Sequence, residues 1–324
     1  MYQAKNQMKI FRQLSEVQYD PNTVLTIGTF DGIHLGHQEI LKKLFDRSRF
    51  HNARNMLITF HPHPRKVISK VDDLKILSTP DEKISILKMR GLENLFIINF
   101  TDEFSQQSPI EFFKDFIINK IGLKEIVIGH DHKFGKGREG TSETLKKLGN
   151  EFQFGISVVD EFKFNGEIVS STKVRNALLA GDIVSANLFL GRNYSFSGIV
   201  VAGDKRGRVL GFPTANVRFE DNDKLLPKLG IYAAEVILYN QKYEGLLSIG
   251  KRPTFYDNGE IVTEVYLYNF DKNIYNEKIE ICVLDKIRNE EKFSSSGDLI
   301  AQMNRDKEAG LKIFNRINTN KRST

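Results

Sequence analysis

The hydrophobic rhythm of this chain changes once, near Tyr194, and that change restricts the fold more than any single motif. Before it, short apolar runs alternate with amphipathic stretches. Val24–Gly28, Met56–Phe60, Leu95–Asn99, Glu125–Gly129 and Gly155–Val159 read as strands, and Gln38–Phe50, Asp81–Arg90 and Pro109–Asn119 as helices. Such alternation builds a parallel sheet with helices on its faces. After it come runs rich in Val, Ile, Tyr and Phe: Ser195–Ala202, Ile231–Tyr239, Lys242–Ile249, Val262–Phe270 and Lys278–Leu284. Short turns such as Asn240-Gln241 and Asp257-Asn258-Gly259 separate them, which predicts an antiparallel barrel or sandwich. A helical pair, Thr172–Ala180 and Asp182–Leu190, precedes the change, and a last helix is expected within Ser295–Asn315. The boundary is placed at Leu190–Tyr194, giving an α/β domain over 1–190 and an all-β domain over 191–324. A chain of 324 residues is long enough for both.

The chemistry divides in the same way. All seven histidines lie between His34 and His132. The formal charge of +6 and a pI near 9.1 suit nucleic acid, an anionic membrane or phosphorylated small molecules. No recognition helix, zinc knuckle or aromatic RNA-binding signature is present, and the basic residues cluster near glycine-rich motifs, so phosphorylated small substrates are favoured over nucleic acid or membrane. No run of 18 apolar residues predicts a transmembrane helix, and the polar start lacks the apolar core of a secretory signal. Cys282 is the only cysteine, so no intrachain disulfide forms, and a cytoplasmic setting is expected.

The most informative stretch is Thr26-Ile27-Gly28-Thr29-Phe30-Asp31-Gly32-Ile33-His34-Leu35-Gly36-His37. A strand ends at Gly28, and Ile40, Leu41, Leu44 and Phe45 give the following helix one apolar face. Free N–H groups and the positive dipole end at a helix start attract phosphate. Two imidazoles there can donate to oxygens whose charge grows as a phosphoanhydride breaks. Asp31 orients this turn, assists a metal ion, or forms a simple Asx turn. A second helix start, Val169-Ser170-Ser171-Thr172-Lys173-Val174-Arg175, offers hydroxyls, free N–H groups and a guanidinium for the outer phosphates of ATP. The loop Gly129–Arg138, with Asp131, Phe134 and Gly135, is a candidate to lie over a nucleotide or flavin; a plain surface loop is the alternative. His61-Pro62-His63-Pro64-Arg65 lacks the further ligands zinc would need, so no metal site is assigned there.

In the C-terminal half, Gly203-Asp204-Lys205-Arg206-Gly207-Arg208-Val209-Leu210-Gly211-Phe212-Pro213-Thr214-Ala215-Asn216 is neither a Walker A motif nor a kinase glycine loop. Its glycines and cations can still cradle phosphates, and Thr214 and Asn216 offer hard oxygens suited to Mg²⁺. By itself Pro213-Thr214-Ala215-Asn216 reads as a turn.

The His34-x-Gly36-His37 signature resembles that of the nucleotidylyltransferase superfamily, and the 203–216 run resembles the signature of riboflavin kinase. Gly230-Ile231-Tyr232, Ser248-Ile249-Gly250-Lys251-Arg252-Pro253-Thr254-Phe255, Glu264-Val265-Tyr266-Leu267, Lys286-Ile287-Arg288 and Glu291-Lys292-Phe293 extend the second likeness. In this order the two resemble the bacterial bifunctional riboflavin kinase/FMN adenylyltransferase (FAD synthetase) family over roughly residues 20–310. That resemblance implies a Rossmann-like nucleotidyltransferase domain followed by a six-stranded antiparallel barrel with a C-terminal helix. It implies ATP as co-substrate, riboflavin, FMN and FAD as substrates or products, and Mg²⁺ or a similar divalent cation. His34, His37 and Arg175 would be catalytic in adenylyl transfer, with Gly28, Phe30, Asp31, Gly32, Ser171 and Thr172 around ATP. In the kinase, Glu264 would be the general base and Thr214 and Asn216 would hold the metal. Gly203, Gly207, Arg208, Gly211, Phe212 and Pro213 would surround ATP, with Arg288 and Phe293 at the flavin. Three segments depart from the family pattern: Thr29 stands for a frequent Asn, His132 for an aromatic Phe, and Tyr266-Leu267-Tyr268-Asn269-Phe270 for a more common His-Leu-Leu-Asp-Phe. The His132 change bears on how the N-terminal flavin pocket is lined. Self-association stays open.

Overall fold

The computed structural model describes residues 8–69, 74–203, 211–219, 221–251 and 261–322. They separate into two compact units, Met1–Ser171 and Thr172–Thr324.

In the first unit, β1 (Lys9–Phe11), β2 (Thr23–Ile27), β3 (Arg54–His61), β4 (Asn94–Asn99), β5 (Glu125–Gly129) and β6 (Gly155–Val159) form one sheet ordered β1-β4-β3-β2-β5-β6. Every neighbouring pair is parallel. The connecting helices are α1 (Leu35–His51), α2 (Pro64–Ser69), α3 (Pro80–Met89), α4 (Asp102–Ser105), α5 (Pro109–Glu111, continued by the π-helical stretch Phe112–Ile121) and α6 (Ser142–Phe152). Alternate strand residues feed opposite faces. Leu25, Ile27, Met56, Ile58, Phe96, Ile126 and Ile128 enter one apolar cluster, and Val24, Leu57, Leu95 and Val127 the other. Continuous apolar strands are what burial on both faces demands. Strand order reverses at β2, whose neighbours are β3 and β5. Crevices outside the carboxyl ends of strands at such reversals bind ligands in open α/β sheets. The His34/His37 turn leaves β2 at that point. At the opposite end of the sheet Glu125 is buried, bound by Arg47 (2.8 and 2.9 Å), His51 (2.7 Å) and Ser157 (2.6 Å). That cluster is structural. A two-stranded hairpin, β7 (Lys163–Phe164) with β8 (Glu167–Ile168), turns through Asn165 and Gly166, both at positive φ.

The second unit opens with α7 (Ser171–Ala180) and α8 (Ile183–Leu190). Lys228 N–H donates to the Leu178 carbonyl (3.0 Å), and the Asn187 amide to that of Val283 (2.9 Å), so both helices are tied to the all-β part of the chain. β9 (Tyr194–Val201), β10 (Thr214–Arg218), β11 (Gly230–Leu238), β12 (Gln241–Lys251), β13 (Ile261–Leu267) and β14 (Lys278–Arg288) close into an antiparallel barrel ordered β10-β13-β12-β11-β14-β9. Strict alternation along β9 buries Tyr194, Phe196, Gly198 and Val200, as a half-buried strand requires. The Tyr194 hydroxyl donates to the Leu225 carbonyl (2.6 Å), which satisfies a buried polar tip. The last helix, α9 (Ser296–Arg322), seats Phe314 against Leu246, Tyr268 and Leu284.

The α/β unit and six-stranded barrel with a terminal helix agree with the expected fold. Some elements lie outside the expected set, among them β1, α6 and the β7–β8 hairpin. The Pro213–Asn216 stretch, read by itself as a turn, mostly belongs to strand β10 (Thr214–Arg218), which pairs with both β9 and β13 and closes the barrel. Only Val217 of its five residues is buried, so its alternation is too weak to signal a strand.

Candidate active site

In the first unit the turn after β2 is held in an unusual backbone. Phe30 (φ 45°) and Ile33 (φ 43°) both occupy the left-handed region, each costing about 1–2 kcal/mol for a residue with a Cβ. Several contacts offset that cost. The Asp31 carboxylate accepts from the backbone N–H groups of Leu77 (2.9 Å) and Ser78 (3.1 Å), and the Gly32 N–H donates to the Ser78 hydroxyl (3.1 Å). The Ser171 hydroxyl donates to the Asp31 carbonyl (2.9 Å). Asp31 is therefore a buried anchor for the turn, neither a simple Asx turn nor an open carboxylate.

His34 caps α1: its Nδ1 accepts from the His37 backbone N–H (3.4 Å). That contact places the imidazole proton on Nε2, leaving a donor at the far side of the ring. The His34 and His37 rings stack with centroids 3.7 Å apart, and the tilted Phe30 ring lies 4.9 Å from His37. Gly28 makes room for this stack, because a Cβ there would sit 3.0 Å from the Phe30 ring. His37 is held well below the ordinary imidazole value, first by burial and then by the charges of His34 and Lys83. It is neutral at pH 7, and its buried Nδ1 has no hydrogen-bond partner among the described residues. Two stacked imidazoles at a helix entrance are poised to donate to an incoming anion.

Of the remaining residues expected here, Asp131 is exposed on its loop, and Phe134 is buried against Phe113 (4.8 Å) in the core. The Phe134 ring anchors the loop and does not line an open surface. Gly135 has positive φ, and a Cβ there would strike Pro109. Thr172 and Arg175 sit in the first turns of α7, in the second unit. The histidines of 61–65 join no metal-like cluster among the described residues.

In the second unit the register of β10 against β13 sets Thr214 opposite Tyr266 and Asn216 opposite Glu264. With a strand period of two, these four side chains share one face of the barrel wall. The Thr214 hydroxyl donates to the Glu264 carboxylate (3.1 Å), and the Tyr266 ring lies 5.7 Å from Phe212. Gly203 backs this face: a Cβ there would collide with the Asn216 side-chain amide. Gly203→Ala is accordingly expected to swing the Asn216 side chain away from this face. Gly211 has positive φ (83°), Phe212 is buried and Pro213 exposed. Gly207 and Arg208 lie outside the described residues.

Arg288 is occupied by other partners. Its guanidinium binds Asp306 through Nε (2.9 Å) and Nη2 (2.8 Å), and it lies under the Phe293 ring (5.6 Å). Asp306 is nearly fully buried on α9, so Arg288 fastens the stretch carrying Phe293 to the last helix. Sequence reasoning missed Asp306 because it is one of three acidic residues on a helix rich in charge.

A stacked histidine pair at a sheet reversal and a hydroxyl–carboxylate face on a small barrel define a two-domain enzyme of phosphorylated substrates. Two family models match the chain: FAD synthetase over residues 16–173 and riboflavin kinase over residues 190–314. A bifunctional riboflavin kinase/FMN adenylyltransferase of Buchnera aphidicola (from Schizaphis graminum) is 36% identical over 314 residues, covering 96% of this chain and all of the relative. The protein of that description from Listeria monocytogenes is 34% identical over 92% of this chain and 94% of its own. A solved structure from Streptococcus pneumoniae, titled a macrolide-efflux protein, superposes with a TM-score of 0.85 at 31% identity, covering 94% of this chain and 98% of that one. Among the described residues here, no helix is long and apolar enough to cross a membrane. The chain belongs to the bifunctional riboflavin kinase/FMN adenylyltransferase family.

Proposed function

We infer that this enzyme carries out two consecutive reactions: riboflavin plus ATP gives FMN plus ADP, and FMN plus ATP gives FAD plus pyrophosphate. The observation that carries this reading is that each family match falls on a half with its own anion-type site. We keep the functional boundary at 190/191, in line with a riboflavin kinase match that begins at residue 190, so the helix start at Ser171–Arg175 counts with the N-terminal chemistry.

In adenylyl transfer, a phosphate oxygen of FMN attacks the α-phosphorus of ATP, and the bond to the pyrophosphate oxygen breaks. His34, through Nε2–H, and His37 donate to the oxygens on which charge accumulates. Gly28, Phe30, Asp31 and Gly32 form the ATP-side turn. Ser171, Thr172 and Arg175 are assigned to the outer phosphates on motif grounds. Asp131, Phe134 and Gly135 belong to the loop assigned to nucleotide or flavin.

In the kinase, the terminal ribityl hydroxyl attacks the γ-phosphorus and ADP leaves. Glu264 accepts the hydroxyl proton, exchanging its present contact with Thr214 for one with substrate. Thr214 and Asn216 would hold Mg²⁺ through hard side-chain oxygens, a donor type that suits an ion keeping most of its waters. When bound, Mg²⁺ neutralises charge on the transferring phosphate. Gly203, Gly211, Phe212 and Pro213 flank ATP, while Phe293, steadied by Arg288, is assigned to the isoalloxazine. ATP and flavins are the small-molecule partners, and the cytoplasm is the proposed compartment.

Incubation with riboflavin, ATP and Mg²⁺ followed by chromatography tests the whole reading, and FAD is the expected product. FMN alone would reduce the chain to a kinase, and unchanged riboflavin would leave only a flavin-binding protein.

A further inference from the structure

Lys83, in the first turn of α3, is a charged residue that the motifs do not mention. Its ammonium is buried, and it donates to the Thr29 carbonyl (2.6 Å) and to the Thr59 hydroxyl (3.2 Å). The Thr59 hydroxyl donates to the same carbonyl (3.0 Å). The next residue is Phe30, whose left-handed backbone sets the ring beside His37. The orientation of the 29–30 peptide is thus fixed from behind by one cation and one hydroxyl. We propose that Lys83 is a positioning residue for adenylyl transfer, acting through the Thr29 carbonyl to hold the backbone on which Phe30 and His37 are presented.

The electrostatics agree with the geometry. Burying a lysine is unfavourable unless something is gained, and here burial pushes the ammonium down to about 8 against the pull of Asp31. The charged or titratable groups coupled to His37 are His34 and Lys83, both of which depress it. Lys83 therefore also helps keep His37 uncharged, as a donor awaiting the triphosphate. As pH rises through about 8, Lys83 in the free enzyme loses its charge, the Thr29 carbonyl loses a charged donor, and adenylyl transfer falls.

Lys83 has this role only if adenylyl transfer occurs at the His34/His37 turn, and FAD formation by the unaltered enzyme tests that condition separately. The test uses the full-length protein with FMN and ATP supplied, riboflavin kinase activity serving as an internal control. Lys83→Met is expected to lower kcat for FAD formation about tenfold or more, with the ATP KM within about twofold. It should also abolish the alkaline fall in kcat/KM and move the NMR titration of His37 upward. Lys83→Arg, which keeps the charge, should restore a low His37 titration. Thr59→Val, which removes the second donor to the same carbonyl and one of the two acceptors of Lys83 while keeping its charge, should slow FAD formation without moving His37. An unchanged alkaline limb and an unmoved His37 in folded Lys83→Met protein overturn the proposal. If Lys83→Met disrupts the first unit, a wild-type rate in Thr59→Val overturns it instead.

Discussion

A His34→Ala/His37→Ala double variant is expected to lose FAD formation from FMN by at least ~10²-fold while making FMN from riboflavin at the wild-type rate. The two rings are stacked at 3.7 Å, and His34 caps α1, so the substitution removes both donors at the helix entrance. An alanine is a poorer cap than a side-chain acceptor, at a cost of about 1 kcal/mol, which a 17-residue helix packed through Leu41 and Leu44 tolerates. The loss should therefore be catalytic rather than structural. Chromatography of one reaction mixture measures both rates. Equal loss of the two activities in folded protein would contradict the assignment of separate sites.

Glu264→Gln is expected to give the reverse pattern: FMN formation falls at least ~10²-fold, and conversion of supplied FMN to FAD is unchanged. The glutamine oxygen can still accept from the Thr214 hydroxyl, so the β10–β13 face keeps its shape while losing the ability to take a proton. That isolates proton acceptance from packing. A wild-type kinase rate in this variant would remove Glu264 from the mechanism.

The elements that alternate cleanly were legible from sequence. Glu125–Gly129 and Gly155–Val159 have the same bounds in both readings: the first is buried almost throughout and must be apolar, and the second, at the sheet edge, is a short Val/Ile run that still reads as a strand. The His34/His37 turn was legible for a different reason: two glycines and two imidazoles between a strand and a helix have few other uses. β10 was not, since only one of its five residues is buried and its pairing is supplied by β9 and β13. Lys83 was missed for the same kind of reason. In the run Asp81-Glu82-Lys83 it reads as one more charge in the exposed first turn of a helix, and only tertiary packing buries it behind Thr29. Phe134 looked like part of an open loop, yet its ring belongs to the core. Sequence periodicity reports what a segment does to its own surroundings; these residues are defined by surroundings assembled from elsewhere.

The closed barrel orders events during synthesis. β9 lies between β10 and β14, and β14 is the last strand made, so the cylinder cannot shut until the ribosome has passed Arg288. The parallel sheet of the first half needs nothing beyond Val159. A nascent chain therefore assembles the scaffold for the later metabolic step before that for the earlier one. Products of translation interrupted between Arg175 and Arg288 would carry the adenylyl-transfer residues with no closed kinase barrel to feed them.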